Sequence, residues 1–333
     1  MIPIDNTTFI GRRLSNNIYS RQGSLLLPKS TILNDHNLDL LQQHGVNLWD
    51  ADTQLITEFI IDETISEVQW IYEKIHSTEM LSNEIIRQKV MPKIQQLCSN
   101  NISNVLLGLR KKDHYTYQHC IGVSVLSYLI GKWLGLTEEE LNDLAVAGLL
   151  HDLGKAKIPD SILKKADKLS WDEYAEMKRH TVLGYEIILS LPNITAQQAL
   201  VALQHHERED GSGYPYGKSS EEIAYFSKIV AVADVFHTMV SERVYKKPVP
   251  LYQVLQEIYQ RAFGLFDPVI VQRFIINLMN RMIGDSVLLS DGKVARIVMI
   301  NPDDLVNPLV ESEGQYYDLR WSKNKIMDFA SNQ

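Results

Sequence analysis

The sequence predicts a mainly α protein, a helical bundle with small β-containing modules at the N- and C-termini. Three observations predict it. Apolar residues recur at three-, four- and five-residue steps from Glu58 onward, as one face of a helix requires. The first 57 residues instead hold short apolar stretches broken by glycine and proline. Near the other end, two apolar runs flank an Asp-Gly turn, the signature of a β-hairpin. Four segments follow: a small strand-and-turn module over 1–57, a helical connector over 58–110, a helical bundle over 111–282 and a small β module over 283–333.

In the first module, Ser24-Leu25-Leu26-Leu27 and Val46-Asn47-Leu48-Trp49 are punctuated by Gly11, Gly23, Pro28 and Gly45, with one helix expected around Asn34 to His44. Phe59, Ile60, Ile65, Val68, Ile71 and Ile75 then mark a helix face, continued by Ile85, Ile86, Val90, Ile94 and Leu97 with a kink expected at Pro92. The bundle is interrupted by expected loops at Gly154–Pro159, Leu191–Pro192 and Asp210–Lys218. Its greasiest stretch, Ile121 to Leu136, carries Lys132 and reads as a buried core helix too short to span a bilayer. In the tail, Ser286–Leu289 and Val294–Ile300 surround the turn Ser290-Asp291-Gly292-Lys293, and Arg320-Trp321 and Ile326 are expected to close a small sheet.

The composition narrows the function. Of 333 residues, 45% are hydrophobic and 22% charged, which excludes disorder and a disulfide scaffold. Lys and Arg number 33 against 41 Asp and Glu, a net charge of −8, which argues against a DNA or RNA duplex as partner. An anionic ligand must therefore be captured locally, by metal ions or a few placed cations. Only Cys98 and Cys120 are present, which fits a reducing compartment. Met1 to Asn17 lacks the apolar core of a signal peptide. A cytoplasmic protein with no transmembrane segment is expected.

The histidines carry the chemistry. Seven of ten lie between His114 and His237. The intervals are 32 residues from His119 to His151, 29 to His180, 25 to His205, and 28 from His206 to Asp234. Each step suits one helix of roughly 11–12 residues with its return connection, so successive helices can bring one residue apiece to a common core point. A lone histidine on an apolar helix is ordinarily a hydrogen-bonded core residue; a near-even series with aspartates is not. Imidazole with carboxylate suits Fe, Mn, Zn or Ni. Asp152 follows His151 at the end of a helix from about Glu138, which Gly154 is expected to terminate. A buried carboxylate there needs a cation, and its two oxygens can bridge two metals. Lys155, three residues on, can hold a phosphate oxygen as a point charge.

These residues resemble a known family. His151-Asp152 with Lys155 in HDLGK is the HD-domain phosphohydrolase signature, and HHEREDGSGYP from His205 to Pro215 is similar to the HD-GYP family of cyclic di-GMP phosphodiesterases, enzymes of bacterial signalling. YTYQH ending at His119, VAVADVF around Asp234 and SERVYK from Ser241 extend the likeness over about half the chain, Lys111 to Met282. The resemblance implies a binuclear centre of two divalent ions, iron or manganese. One would be held by His119, His151, Asp152 and Asp234, the other by Asp152, His180, His205 and His206. It further implies that Lys155 contacts the scissile phosphate and that Gly213, Tyr214 and Pro215 form a substrate loop with Tyr214 facing the ligand. Arg243 and Lys246 match dinucleotide-binding positions, and Asp113 an acidic position near the entrance that would pair with Lys155. Lys164, Lys165 and Lys168 read as surface charge.

Two departures stand out. Members with three metals carry a Glu one helical turn before the first His, where this chain has Tyr115. Two divalent ions, two aspartates and a hydroxide leave one net positive charge, which suits one phosphodiester, so two metals are expected. The family also usually has Asp three residues after the last ligand, where His237 stands; it is expected to alter the entrance, add a ligand or tune substrate choice. The implied reaction is hydrolysis of cyclic di-GMP to linear pGpG by a hydroxide activated between two metals, with Asp152 and Lys155 in catalytic roles. The alternatives are a hydrolase of another cyclic dinucleotide, such as cyclic GMP-AMP, or a cyclic di-GMP sensor without turnover. The terminal modules would serve as caps on the bundle, protein contacts or a homodimer contact.

Overall fold

The computed structural model describes residues 9–20, 22–48, 53–77, 81–110, 115–165, 167–241, 249 and 251–330. The chain divides into two compact units, Met1–Glu63 and Thr64–Asn332. In the first, β1 (Arg12–Leu14) pairs antiparallel with β4 (Thr53–Leu55), and β2 (Ile18–Tyr19) with β3 (Leu25–Leu27). The predicted helix is α1 (Asp35–Gln43). Its capping box is reciprocal: Asn34 accepts from the Asn37 amide and Asn37 from the Asn34 amide, which satisfies amide donors that the helix start leaves open. Leu38 and Leu41 on its inner face join Phe9, Leu14, Ile18, Leu27 and Leu33 in one small core. The division of the chain falls within α2 (Ile56–His76).

The second unit is built around α5 (Tyr115–Leu134), which is buried on all sides from Gln118 to Gly131. A helix apolar all round belongs at the centre of a bundle. It is surrounded by α3 (Asn83–Ser99), α6 (Glu138–Leu150), α11 (Tyr225–Val240) and α13 (Pro268–Arg281). α3 continues through Pro92. The remaining helices are α4 (Ile102–Gly108), α7 (Asp160–Leu163), α8 (Trp171–Lys178), α9 (His180–Leu189), α10 (Ala196–Gln204) and α12 (Leu251–Leu265). The segment predicted as a loop from Gly154 is instead a 3-10 turn, Leu153–Lys157. Among the described residues no helix is long and apolar enough to cross a membrane.

The tail forms a five-stranded antiparallel sheet from β5 (Ser286–Leu289), β6 (Val294–Asn301), β7 (Asp304–Ser312), β8 (Gln315–Asp318) and β9 (Ile326–Phe329), in the order β8-β7-β6-β5-β9. The predicted hairpin is β5–β6, turning at Gly292 with φ of +85°. Arg320-Trp321 does not join the sheet. The Asp318 carboxylate accepts from the Arg320 amide and guanidinium and folds that stretch into a turn, and Ile326 opens the strand that pairs with β5. The sheet is tied to the helices by polar contacts: Asp285 accepts from Asn101 at 2.6 Å and from Ser103, and Arg110 pairs with Asp328.

Candidate metal centre and substrate cavity

Six elements meet at one point. α6 begins at a Thr137–Glu140 capping box, buries Leu141, Leu144, Ala145 and Leu149 on the bundle, and ends at His151. Asp152 leads the 3-10 turn, and Gly154 within it crosses the start of α9. A Cβ at Gly154 would lie 1.9 Å from the His180 carbonyl oxygen and 2.5 Å from the Gly184 nitrogen. Gly154 is therefore required for close approach; the helix has already ended at His151. That approach sets Asp152 against His180. α5 contributes His119, α10 ends at His205 with His206 following, and α11 carries Asp234.

The seven residues singled out by spacing fall into two groups: His119, His151 and Asp234, and Asp152, His180, His205 and His206, with ligand atoms within 4.8 Å of one another in each. Asp152 joins them. Its Oδ2 lies 3.2 Å from His151 Nε2 and 3.7 Å from His119 Nε2, while its Oδ1 lies 3.5 Å from His180 Nε2 and 3.8 Å from His205 Nε2. Asp234 Oδ1 is 3.2 Å from His119 Nε2. All but His206 are buried, and it is half-buried.

The rings are held from behind. Nδ1 of His151 meets the Gly148 carbonyl at 2.8 Å, that of His180 the Met177 carbonyl at 2.7 Å, and that of His205 the Val201 and Ala202 carbonyls at 3.0 Å. A carbonyl only accepts, so each Nδ1 carries the proton and each Nε2 turns a lone pair inward, as metal-ligating histidines do. His151 Nε2 and Asp152 Oδ1 are buried without a hydrogen-bond partner. Burial pushes His206 down to about 3 and depresses His119, His180 and His205, which keeps them neutral and available to a cation. Burial alone would raise Asp152 and Asp234; the contacts with His151 and the Lys155 ammonium for the first, and the contact with His119 for the second, hold both well below the usual carboxylate range. Neutral imidazoles, ionised carboxylates and orphaned inward atoms fit divalent metal ions.

A cavity of about 610 Å³ opens over this cluster. Lys155 lines it with Nζ 2.5 Å from Asp152 Oδ2, on the side the i, i+3 spacing predicts. Tyr214 also lines it, its ring stacked on His206 at 4.5 Å between centroids. The loop carrying Gly213, Tyr214 and Pro215 folds back on the histidines. The Tyr214 amide donates to the His206 carbonyl at 3.2 Å, and a Cβ at Gly213 would lie 2.4 Å from that same oxygen. Asp113, Arg243 and Lys246 lie outside the described residues.

Three points go beyond the sequence reading. Lys164 and Lys165 are exposed, as expected of surface charge, and they also line the cavity, paired with Asp160 and Glu173. His237 neither lines the entrance nor joins the inward cluster. It is buried behind His119, whose Nδ1 is 3.2 Å from its own. Glu207 and Arg208 were missed. Glu207 is 2% exposed and accepts the amides of Tyr216 and Lys218, bracing the loop, while Arg208 lines the cavity and donates to the His205 and Glu207 carbonyls. The signal was present, since a carboxylate inside a glycine-rich loop commonly gathers backbone amides.

A family model described as HD domain matches residues 73–270. The chain is 40% identical over 179 residues to the cyclic di-GMP phosphodiesterase response regulator RpfG of Xanthomonas campestris pv. campestris (strain 8004), covering 54% of this chain and 47% of that protein. It is 32% identical over 184 residues to 3′3′-cGAMP-specific phosphodiesterase 2 of Vibrio cholerae serotype O1, covering 55% of this chain and 35% of that one. The chain thus spans about half the length of these relatives or less. The solved structure of Bd1817, an HDG"Y"P protein from Bdellovibrio bacteriovorus, shares the fold at a TM-score of 0.53 and 16% identity, over 81% of this chain and 97% of that one.

Proposed function

The chain belongs to the HD-domain family, and within it we propose a metal-dependent phosphodiesterase that hydrolyses cyclic di-GMP to linear pGpG. One observation carries this reading: the two oxygens of a single buried carboxylate, Asp152, face two different histidine groups. His119, His151, Asp152 and Asp234 would hold one divalent ion, and Asp152, His180, His205 and His206 the other; iron or manganese is proposed on the family resemblance, since the imidazole–carboxylate set itself suits zinc and nickel as well. When bound, such a pair supplies a water nucleophile at neutral pH and neutralises charge on the phosphate.

The chain's own groups do the rest. Lys155 offers its ammonium to a phosphate oxygen once a substrate competes with Asp152 for it, stabilising charge that grows during the displacement. Tyr214, braced through the loop that Glu207 holds, gives the cavity an aromatic wall beside His206. The volume of about 610 Å³ suits a small nucleotide ligand. Gly213 and Pro215 shape that loop, and Asp113, Arg243 and Lys246 are retained as proposed substrate contacts on the family pattern. Tyr115 stands where a third metal would need a carboxylate and stacks on His119, with ring centroids 5.9 Å apart, which supports two ions and arrest at pGpG. The name of RpfG supports cyclic di-GMP as substrate.

The Vibrio cholerae relative favours a second reading, a preference for 3′3′-cGAMP. An anaerobic assay with Mn(II) or Fe(II) separates the two. The proposal expects faster conversion of cyclic di-GMP, a pGpG product resolved by chromatography, little GMP, and loss of turnover on chelation. Faster conversion of 3′3′-cGAMP would favour the second reading, and both substrates surviving in every metal would refute hydrolysis.

A further inference from the structure

We propose that His237 is a positioning residue whose Nδ1 accepts the Nδ1–H of His119 and thereby aims His119 Nε2 at the group it forms with His151 and Asp234. The inference rests on the metal-binding reading above.

Two Nδ1 atoms 3.2 Å apart can share only one proton. His119 Nε2 faces Asp234 Oδ1 at 3.2 Å and Asp152 Oδ2 at 3.7 Å. For that nitrogen to offer a lone pair to a cation, the His119 proton must sit on Nδ1, and His237 Nδ1 must then accept it. The other anchored rings of the cluster differ. His151, His180 and His205 rest their Nδ1 on main-chain carbonyls, which no substitution removes. The support of His119 comes from a side chain, so the residue at 237 decides how well it is aimed.

The surroundings fix His237 for this task. It is 1% exposed and does not line the cavity, so it acts through His119 and touches no substrate. Its far edge lies against Gly122, where a Cβ would sit 2.1 Å from both Nε2 and Cδ2; the glycine makes room for the ring. Ser241 Oγ, 3.2 Å from the same Nδ1, can only share that single lone pair with His119 in this arrangement. The His237 proton then resides on Nε2, which has no hydrogen-bond partner among the described residues. A buried donor left open is a cost that a merely structural histidine would shed, and here it accompanies the aiming of His119.

The test counts Mn(II) on the chelator-stripped full chain, following free Mn(II) by electron paramagnetic resonance. Wild type is expected to bind two ions. His237→Leu should keep one at wild-type affinity and hold the other about 10–100-fold more weakly. His237→Asn, which keeps an acceptor at the δ position, should restore the second ion. A folded His237→Leu with two ions at wild-type affinity would overturn the proposal, as would His237→Asn as weak as His237→Leu. A wild type that binds no Mn(II) would instead defeat the metal reading itself, before any substitution is made. If His237→Leu does not fold, Zn(II)-loaded wild type labelled with ¹⁵N-histidine decides. A through-hydrogen-bond coupling between the Nδ1 atoms of His119 and His237 is expected, and its absence would overturn the proposal.

Discussion

Lys155 Nζ lies 2.5 Å from Oδ2 of Asp152, the same oxygen that faces His119 and His151. The cation and the histidine groups thus share one carboxylate. Removing each partner should have a different consequence. Asp152→Ala should lose metal and lower turnover about 10³-fold or more, because both groups lose their common oxygen donor. Lys155→Met should keep its metal and lose about 10²–10³-fold in kcat, the cost of one charge-stabilising group. Metal analysis beside steady-state rates checks both; an Asp152→Ala protein with full metal and full rate would contradict the shared-carboxylate assignment.

Acid should destabilise the metal-free protein. Burial depresses His206 to about 3, and also lowers His119, His180, His205 and His237. A histidine lowered by folding takes up a proton on unfolding. Its contribution is complete above the ordinary value of 6.5 and is lost as pH falls from there toward the depressed value. His151 acts in the opposite sense: burial opposes it, but Asp152 raises it, so its share is present in acid and lost as pH rises. The lowered set prevails. Each such histidine is worth up to about 1.4 kcal/mol per pH unit, or about 3 °C in Tm for a unit of this size. The melting temperature of the chelator-treated protein should fall by several degrees between pH 7.5 and 5.5, and a flat profile would contradict this.

Both thiols should be silent in the native protein. Burial pushes Cys98 and Cys120 up to about 12, and the Tyr72 hydroxyl caps Cys120 at 3.2 Å. A thiol rather than a thiolate barely reacts near neutral pH. A disulfide-exchange reagent at pH 8 should modify neither cysteine in native protein and both after unfolding. Rapid native modification would show that the bundle core opens.

Gly154→Ala should damage the site more than a surface glycine change would. The added methyl meets the His180 carbonyl oxygen at 1.9 Å, a main-chain atom with no flexible side chain to yield. We expect about 1–3 kcal/mol of destabilisation and a loss of metal from the group containing His180. Thermal unfolding with metal counting checks it; wild-type metal content would mean that the crossing of the turn and α9 has slack.

How much of this was legible in the sequence depends on where each contact comes from. His119, His151, His180, His205 and Asp234 were visible as a series because successive helices return to one point, and Lys155 because three residues make most of a helical turn. The supports behind them were not. His151, His180 and His205 lean on carbonyls three or four residues back, which depends on where each helix stops, and His119 leans on a side chain 118 residues away. Gly154 was visible as necessary for the wrong reason, since a helix end and a close crossing both ask for glycine. Arg320-Trp321 looked like strand, but a local Asp318–Arg320 pair competes with sheet pairing and wins.

The most direct test of the central claim is a crystal of the full chain soaked in Mn(II), with anomalous difference maps at the site. Two peaks are expected flanking Asp152, one against each carboxylate oxygen, the first among His119, His151 and Asp234 and the second among His180, His205 and His206. A single peak, or two peaks that share no oxygen of Asp152, would contradict the claim.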